Sequence, residues 1–295
     1  MSDTAFARLK IVLSMFIYGT IGIFVRYIPL PSSVIANARG IIGSLFLLCV
    51  LLLRRESFSF SAVRKNLIPL LLSGCFLGFN WILLFEAYRY TTVATATLCY
   101  YLAPVILVAL SPVLFREKLT GRKILCILAA LLGMVFVSGV AGGSLPAPGE
   151  ARGILFGLMA AVLYASIVTL NKKLTGLSAY ERTILQLAIS VVVLLPYNLL
   201  TVDAAALSFT PFSLLMLLAV GIIHTGLAYL LYFGSMEALP SQTVAILSYI
   251  DPVVAVLLSA LLLHEPMTPL AGVGAVLVIG SAVISELPEK ADNKK

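Results

Sequence analysis

The chain has 295 residues, of which 61% are hydrophobic and 11% are charged, whereas an ordinary soluble domain has about 45–50% apolar and about 25% charged residues. This apolar content excludes a soluble fold, because no water-soluble core would bury so much apolar surface. The formal net charge of +7 does not indicate a nucleic-acid-binding protein either, since the basic residues lie in short clusters between apolar segments rather than along one face.

Apolar segments of membrane-spanning length follow one another along almost the whole chain. A span needs about 20 mostly apolar residues, and we place its boundaries where charged residues, Pro or Gly interrupt the run. The first five predicted helices cover residues 9–27, 34–53, 67–86, 93–115 and 121–140. Five more cover residues 153–170, 183–200, 211–233, 243–263 and 269–284. The Gly- and Pro-rich segment 142–149 is the predicted linker between the two sets.

The distribution of Lys and Arg predicts the orientation of these helices, because both residues are retained on the cytoplasmic side. With the amino terminus inside, 16 of the 20 Lys and Arg residues fall in inner segments. The four in the outer half are Arg26, Arg39, Arg89 and Arg152. We therefore predict a multi-pass protein of the cell membrane with both termini in the cytoplasm, including a charged tail at 287–295.

Two short motifs occur twice along the chain. The first motif lies at Tyr101 to Pro104 and again at Tyr249 to Pro252. The second lies at Glu117 to Thr120 and again at Glu265 to Thr268. In both pairs, equivalent positions are 148 residues apart. Five helices per unit is an odd number, so the second unit enters the membrane in the opposite orientation. The sequence thus predicts an all-α fold of ten transmembrane helices, made of inverted five-helix repeats at 1–145 and 150–286.

The order of features within each half is characteristic. An apolar helix carries the Tyr-Leu-x-Pro-like motif, a Glu follows about 13 residues after the Pro, and a short turn leads to a Gly-rich helix. This arrangement resembles the EamA-type family of the drug/metabolite transporter superfamily. Arg39 matches an arginine often found early in the second helix of that family, whereas Tyr18-Gly19 stands where members often have Trp-Gly. The resemblance implies secondary transport of small metabolites through a central cavity between the repeats, opening alternately to each side without an ATP-binding domain.

Ionisable residues inside the predicted spans are candidates for function, since each costs about 2.5–3.5 kcal/mol on insertion scales. Asp251 is the strongest, because it lies mid-helix beside Pro252 and its counterpart in the first repeat is the neutral Ala103. The alternative is a structural ion pair between Asp251 and Arg39. Glu86 lies near the outer end of the third predicted helix, where it serves either the substrate or a solvated helix end.

Polar and aromatic residues at depth form a second group of candidates. Trp81 follows Asn80 in the middle of its helix, away from the interfacial belt where Trp usually lies, which indicates a cavity wall. His224 lies in an uncharged helix with Tyr232 close to the same face, although a lone His is more often a hydrogen-bonded packing residue than a proton carrier. The aromatic candidates suit a cationic or amphipathic substrate, with simple packing as the alternative. They are Tyr18, Trp81, Tyr101, Tyr232 and Tyr249.

Pro104 and Pro252 lie near the centres of predicted helices four and nine. A proline in a helix removes one backbone hydrogen bond, here to the carbonyls of Tyr100 and Ser248. Broken helices near the midplane commonly line substrate sites in transporters. We therefore predict hinges at both prolines, with a locally satisfied kink as the alternative.

The main alternative to a transporter is a polytopic membrane enzyme. The chain has two widely spaced His residues, no HExxH or GxSxG motif, and no Cys beside a His. We therefore predict that the protein is not an enzyme and has no catalytic residue, metal or cofactor. Without a GxxxxGK[ST] loop, this chain does not pump with ATP. A non-transporting receptor or scaffold stays open, but such a protein does not require an inverted repeat.

The expected partners are a small-molecule substrate and the lipid bilayer, with no nucleic acid. Acidic, basic and aromatic candidates together suit a small zwitterion or amine, such as an amino acid, and we expect export. The sequence leaves both proton coupling and the oligomeric state open.

Overall fold

The computed structural model of the protein describes residues 3–55, 59–115, 120–137, 147–236, 238–239 and 241–287. Within these ranges the regular structure is helical and contains no β-strand. The helices are α1 (Asp3–Arg26), α2 (Ser32–Leu53), α3 (Phe60–Lys65), α4 (Leu67–Tyr90), α5 (Val93–Tyr100), α6 (Ala103–Phe115), α7 (Gly121–Val137), α8 (Pro148–Asn171), α9 (Ala179–Thr201), α10 (Pro211–Gly221), α11 (Ala228–Met236), α12 (Ser241–Ser248), α13 (Ile250–Leu262) and α14 (Pro269–Glu286). A π-helical segment, Ile222–Leu227, joins α10 to α11.

Seven helical stretches in the described part of the chain are long and apolar enough to cross a membrane. They are Thr4–Arg26, Ser32–Leu53, Leu67–Tyr90, Val93–Leu110, Pro148–Asn171, Ala179–Thr201 and Pro211–Ser235. Two shorter apolar helices, Ile250–Leu262 and Pro269–Ile284, follow. Large apolar side chains such as Leu53 and Leu200 are 84% and 87% exposed, as expected where lipid tails replace water. The protein is therefore an all-helical, multi-pass membrane protein, while the ten-helix arrangement stays a prediction.

Several helices begin where local chemistry predicts. Thr268 precedes α14, its hydroxyl accepts the backbone N–H of Ala271, and Pro269 is the first helical residue. This confirms the predicted start of the last helix, since an N-cap side chain satisfies a free N–H and proline lacks the one that would be unpaired. Thr210 caps α10 in the same way, with Pro211 at the first position.

Two predicted helices are interrupted next to their prolines, where the sequence predicts hinges. The predicted helix 93–115 is broken between α5 and α6, and the predicted helix 243–263 is broken between α12 and α13. Pro104 and Pro252 therefore lie in the first turn of α6 and α13 rather than near a helix centre. The physical reason is that the first turn has no intrahelical acceptor for its N–H groups, so proline costs nothing there.

Three predicted features fall partly or wholly outside the described residues. They are the Glu117 motif, most of the linker 142–149, and the tail 287–295 beyond its first residue. At the end of the linker, α8 already begins at Pro148, two residues inside the predicted loop.

Equivalent positions in the two halves make equivalent contacts. Gly78 of α4 packs against Leu194 of α9, and Gly226 packs against Phe46 of α2, at positions that are again 148 residues apart. The bounds of α5 and α12 differ by the same 148 residues at both ends.

Equivalent helices also pack against each other in antiparallel fashion. In the pair α7 and α14, Gly133 lies against Val278, whereas Gly274, earlier in α14, lies against Val137, later in α7. In the pair α2 and α9, the Ser33 carbonyl accepts a hydrogen bond from Asn198, at opposite ends of the two helices. A two-fold axis perpendicular to the helices would produce contacts of this kind.

Candidate substrate site

Asp251 lies in the first turn of α13, next to the break that separates α13 from α12. Its Oδ2 accepts a hydrogen bond of 2.6 Å from the Tyr101 hydroxyl. Tyr101 itself lies at the break between α5 and α6, and its hydroxyl oxygen is also 3.4 Å from the Ser248 carbonyl. That carbonyl is one of those which the prolines leave without an intrahelical N–H donor. The structure thus brings the two predicted breaks together through one carboxyl group.

Aromatic side chains and a close helix crossing surround this hydrogen bond. The rings of Tyr101 and Tyr249, the equivalent residues of the two motifs, have centroids 6.1 Å apart. On α1, a Cβ placed on Gly19 would lie 2.7 Å from the Asp251 carbonyl oxygen, so the backbones of α1 and α13 nearly touch. The neighbouring Tyr18 contacts the ring of Tyr229 with centroids 5.7 Å apart. Tyr18, Tyr101 and Tyr249 therefore lie on elements that meet at Asp251.

Arg39 is buried in α2, but its contacts are not those that the ion-pair alternative requires. Its Nε donates a 2.7 Å hydrogen bond to the Thr225 hydroxyl, and its guanidinium lies 4.0 Å from the ring centroid of Trp81. In the part of the chain that the structure describes, no Lys, Arg or His nitrogen lies within 4.0 Å of the Asp251 carboxyl. The ion pair of that alternative is therefore not present. Instead, Arg39 forms a cation–π contact, which is stronger when desolvated.

Trp81 and Asn80 occupy adjacent positions of α4 with different surroundings. Trp81 is 4% exposed, so it lies inside the bundle under Arg39 rather than against lipid. Asn80 is fully buried, and its Nδ2 donates a 2.6 Å hydrogen bond to the Ala160 carbonyl of α8. Asn80 therefore joins α4 to α8, which is a packing role.

His224 lies in the π-helical segment, where both of its ring nitrogens have neighbours. Nε2 is 2.8 Å from the Thr20 hydroxyl of α1, and Nδ1 is 3.3 Å from the Ala219 carbonyl. The ring also meets Phe24 edge-on, with centroids 4.7 Å apart. These contacts match the hydrogen-bonded packing alternative. Tyr232, two turns on, packs against a separate apolar cluster that α1 and α12 form together.

Glu86 lies apart from these residues, near the carboxyl end of α4. Its Oε1 is 3.3 Å from Arg89 Nη1, and it borders a cavity of about 330 Å³ at the ends of α2, α4 and α9. At the same end of the bundle, Glu265 accepts hydrogen bonds from Arg26 at 2.6 Å and from the Val93 backbone N–H at 2.8 Å. Glu265 therefore ties α1 and α5 to the loop before α14.

Sequence reasoning missed Thr225 and the π-helical segment that carries it. The extra residue in this turn lets the Thr225 hydroxyl donate to the Val220 carbonyl, five residues earlier, while it accepts from Arg39. Such single π-turns are frequent at functional sites. The only signal in the sequence is a His-Thr pair between Gly221 and Gly226 in an otherwise apolar helix. Tyr229, against Tyr18, carried no signal because an aromatic residue in an apolar helix is ordinary.

Known proteins resemble the chain over most of its length. The family model described as the EamA-like transporter family matches residues 5–139 and 151–286. The chain is 33% identical over 252 residues to the uncharacterized transporter YxxF of Bacillus subtilis (strain 168), covering 85% of this chain and 80% of that protein. It is 29% identical over 206 residues to Protein PecM of Dickeya dadantii (strain 3937), covering 68% and 67%. A solved crystal structure shares the fold, with a TM-score of 0.67 at 20% identity over 95% of this chain and 98% of that chain.

Proposed function

Since the chain belongs to the EamA-like transporter family, within the drug/metabolite transporter superfamily, we propose that it exports small zwitterionic or amine metabolites by alternating access. The cell membrane is its proposed location, with both termini in the cytoplasm. The proposed substrate site lies where the two broken helices meet, around Asp251 and Tyr101.

The hydrogen bond between Tyr101 and Asp251 is the observation that supports this site. It joins the break of one half to the break of the other, so any rotation of the halves relative to each other changes its length or direction. A carboxyl group at such depth is retained where it meets a partner, a cavity or water. We therefore assign Asp251 as counter-ion for a substrate ammonium group or as a site of coupled protonation, and Pro104 and Pro252 as the hinges beside it.

The proposed inverted repeat is supported by the antiparallel packing of α7 with α14 and of α2 with α9. Two equivalent helices related by an axis along the membrane normal would run parallel, whereas an axis in the membrane plane makes them antiparallel. The equivalent glycine contacts at Gly78 and Gly226 agree with the same axis. Such symmetry gives two states of similar energy, one open to each side, in which the halves exchange conformations.

Topology tags provide a direct test of the inversion. We expect reporters at the amino terminus, within residues 142–149, and at the carboxyl terminus to register inside, outside and inside, because each five-helix half crosses the membrane an odd number of times. Accessibility of single cysteines to a membrane-impermeant reagent in intact cells would measure this in a variant lacking the four native cysteines. A linker on the cytoplasmic side would refute the inverted repeat.

The substrate class is tested with the purified protein and a metabolite panel. We expect amino acids or amines to raise the thermal unfolding temperature and to exchange in proteoliposomes, because the site offers a carboxyl group among aromatic rings. Empty liposomes provide the control for leakage. Exchange of organic acids or neutral sugars, without amino acids or amines, would contradict the proposed class.

A further inference from the structure

The cavity of about 330 Å³ that Glu86 borders lies away from Asp251, at the end of the bundle that the charge pattern predicts to face outward. It is formed where α2 begins and where α4 and α9 end. Its lining residues are Pro29, Pro31, Ser32, Ser33, Ile82, Glu86, Tyr197, Thr201, Val202, Asp203 and Leu207. The volume is in the range of small-molecule sites.

The start of α2 forms one wall of this cavity, and it is buried without a cap. Ser32 and Ser33, the first two helical residues, are 1% and 6% exposed, and within the described ranges no side chain accepts a hydrogen bond from the first turn. The Ser32 hydroxyl is itself buried and has no hydrogen-bond partner among the described residues. The Val34 and Ile35 N–H groups donate to the Pro31 carbonyl, which leaves the N–H groups of Ser32 and Ser33 without a partner among the described residues. A buried helix start with such N–H groups and an unpaired hydroxyl suits an oxyanion, which also benefits from the helix dipole.

Two carboxylates border the same cavity. Glu86 uses Oε1 for its contact with Arg89, and Asp203 uses Oδ1 to accept the Ala205 backbone N–H. The second carboxylate oxygen of each residue takes no part in these contacts. Because both carboxylates border one small cavity, a cation held there would be attracted to both. An ammonium group is such a cation and has several N–H donors.

We propose that this cavity binds a free α-amino acid with an apolar side chain. Its carboxylate would meet the start of α2 at Ser32, and its ammonium group would meet Glu86 and Asp203. The remaining walls, including Ile82, Leu207 and the prolines, suit an aliphatic side chain. The site goes beyond the proposed central site, because neither Asp251 nor the broken helices contribute to it. It would hold the amino acid at the outer mouth.

The experiment is a binding measurement on the full chain in detergent, with L-leucine as the probe. Leucinol lacks the carboxylate and 4-methylpentanoate lacks the ammonium group, so both are expected to bind at least about 10-fold more weakly, because each loses a charge-assisted hydrogen bond. Glu86→Gln and Ser32→Ala are each expected to weaken leucine binding by about 10-fold for the same reason. Glu150→Gln, which changes a carboxylate at the start of α8 outside the cavity lining, is the matched control.

The outcomes separate this proposal from the central site. Leucine binding that depends on Glu86 and persists in Asp251→Asn supports the outer site even if transport fails. Leucine binding lost in Asp251→Asn but kept in Glu86→Gln would overturn it, as would the absence of binding at millimolar leucine. Phosphatidylethanolamine carries the same pair of charges, so a Glu86-dependent thermal shift with mixed micelles of that lipid, but not with leucine, would also overturn it. Unliganded thermal unfolding checks that each variant is folded.

Discussion

Asp251→Asn is expected to reduce transport in proteoliposomes by about 100-fold or more while the protein still folds. The substitution keeps the shape of the side chain and an oxygen that accepts the 2.6 Å hydrogen bond from Tyr101, so it removes the charge alone. Removing one partner of a buried charged contact costs about 2–5 kcal/mol, and 1.4 kcal/mol corresponds to a factor of 10. Initial rates of exchange, measured with the substrate found in the metabolite panel, provide the measurement.

Two further variants make this result interpretable. Tyr101→Phe removes only the hydroxyl donor and is expected to reduce transport by about 10-fold. A hydrogen bond to a charged group contributes about 1.5–3 kcal/mol of free energy, and 1.4 kcal/mol corresponds to a factor of 10. Glu150→Gln removes a carboxylate at the start of α8 and is expected to transport normally. If Asp251→Asn transports at the normal rate with unchanged pH dependence, its charge is dispensable and the packing interpretation holds.

Failure of Asp251→Asn to fold would point instead to a structural role for the charge. In that case, Asp251→Asn combined with Arg39→Gln would recover folding if the two charges balance each other at a distance. Since Arg39 contacts Trp81 and Thr225 rather than Asp251, we expect no such recovery. Size-exclusion profiles of the single and double variants measure it.

Gly274→Ala is expected to destabilise the folded protein by about 1–3 kcal/mol, the usual cost of overpacking a core. A Cβ at this position would lie 2.5 Å from the Gly133 carbonyl oxygen of α7, which is backbone and not free to rotate away. The close approach of α7 and α14 depends on small residues, as is common between helices in membranes. The unfolding temperature in detergent provides the measurement.

Gly272→Ala and Gly280→Ala are the matched controls, because they make the same change in the same helix. In the described part of the chain, no atom outside the neighbouring residues and local backbone of α14 lies within 4 Å of a Cβ placed at either position. Both variants are expected to unfold at or slightly above the temperature of the parent protein, since Ala favours the helix over Gly by about 0.5–1 kcal/mol. Equal unfolding temperatures for all three variants would show that α7 and α14 do not pack as closely as the structure indicates.

The membrane class and the approximate positions of the spans follow from the sequence alone. A helix of about 20 apolar residues satisfies its own backbone hydrogen bonds within lipid, so each span depends on local composition rather than on its neighbours. The Thr268 and Pro269 pair likewise sets the start of α14 through contacts within the same turn. Duplicated motifs revealed the family, since a recurring spacing of 148 residues needs no knowledge of the fold.

The partners of the candidate side chains were decided only by the tertiary structure. Sequence reasoning placed Arg39 opposite Asp251 as an alternative, yet Arg39 lies over Trp81 and donates to Thr225. It also left Glu86 open between a substrate residue and a solvated helix end, whereas Glu86 borders a cavity away from Asp251. In a soluble helix the apolar stripe identifies the buried face. In lipid, both the outer surface and the helix contacts are apolar, so hydrophobic pattern does not reveal which face of a helix meets which neighbour, and only the packed bundle determines it.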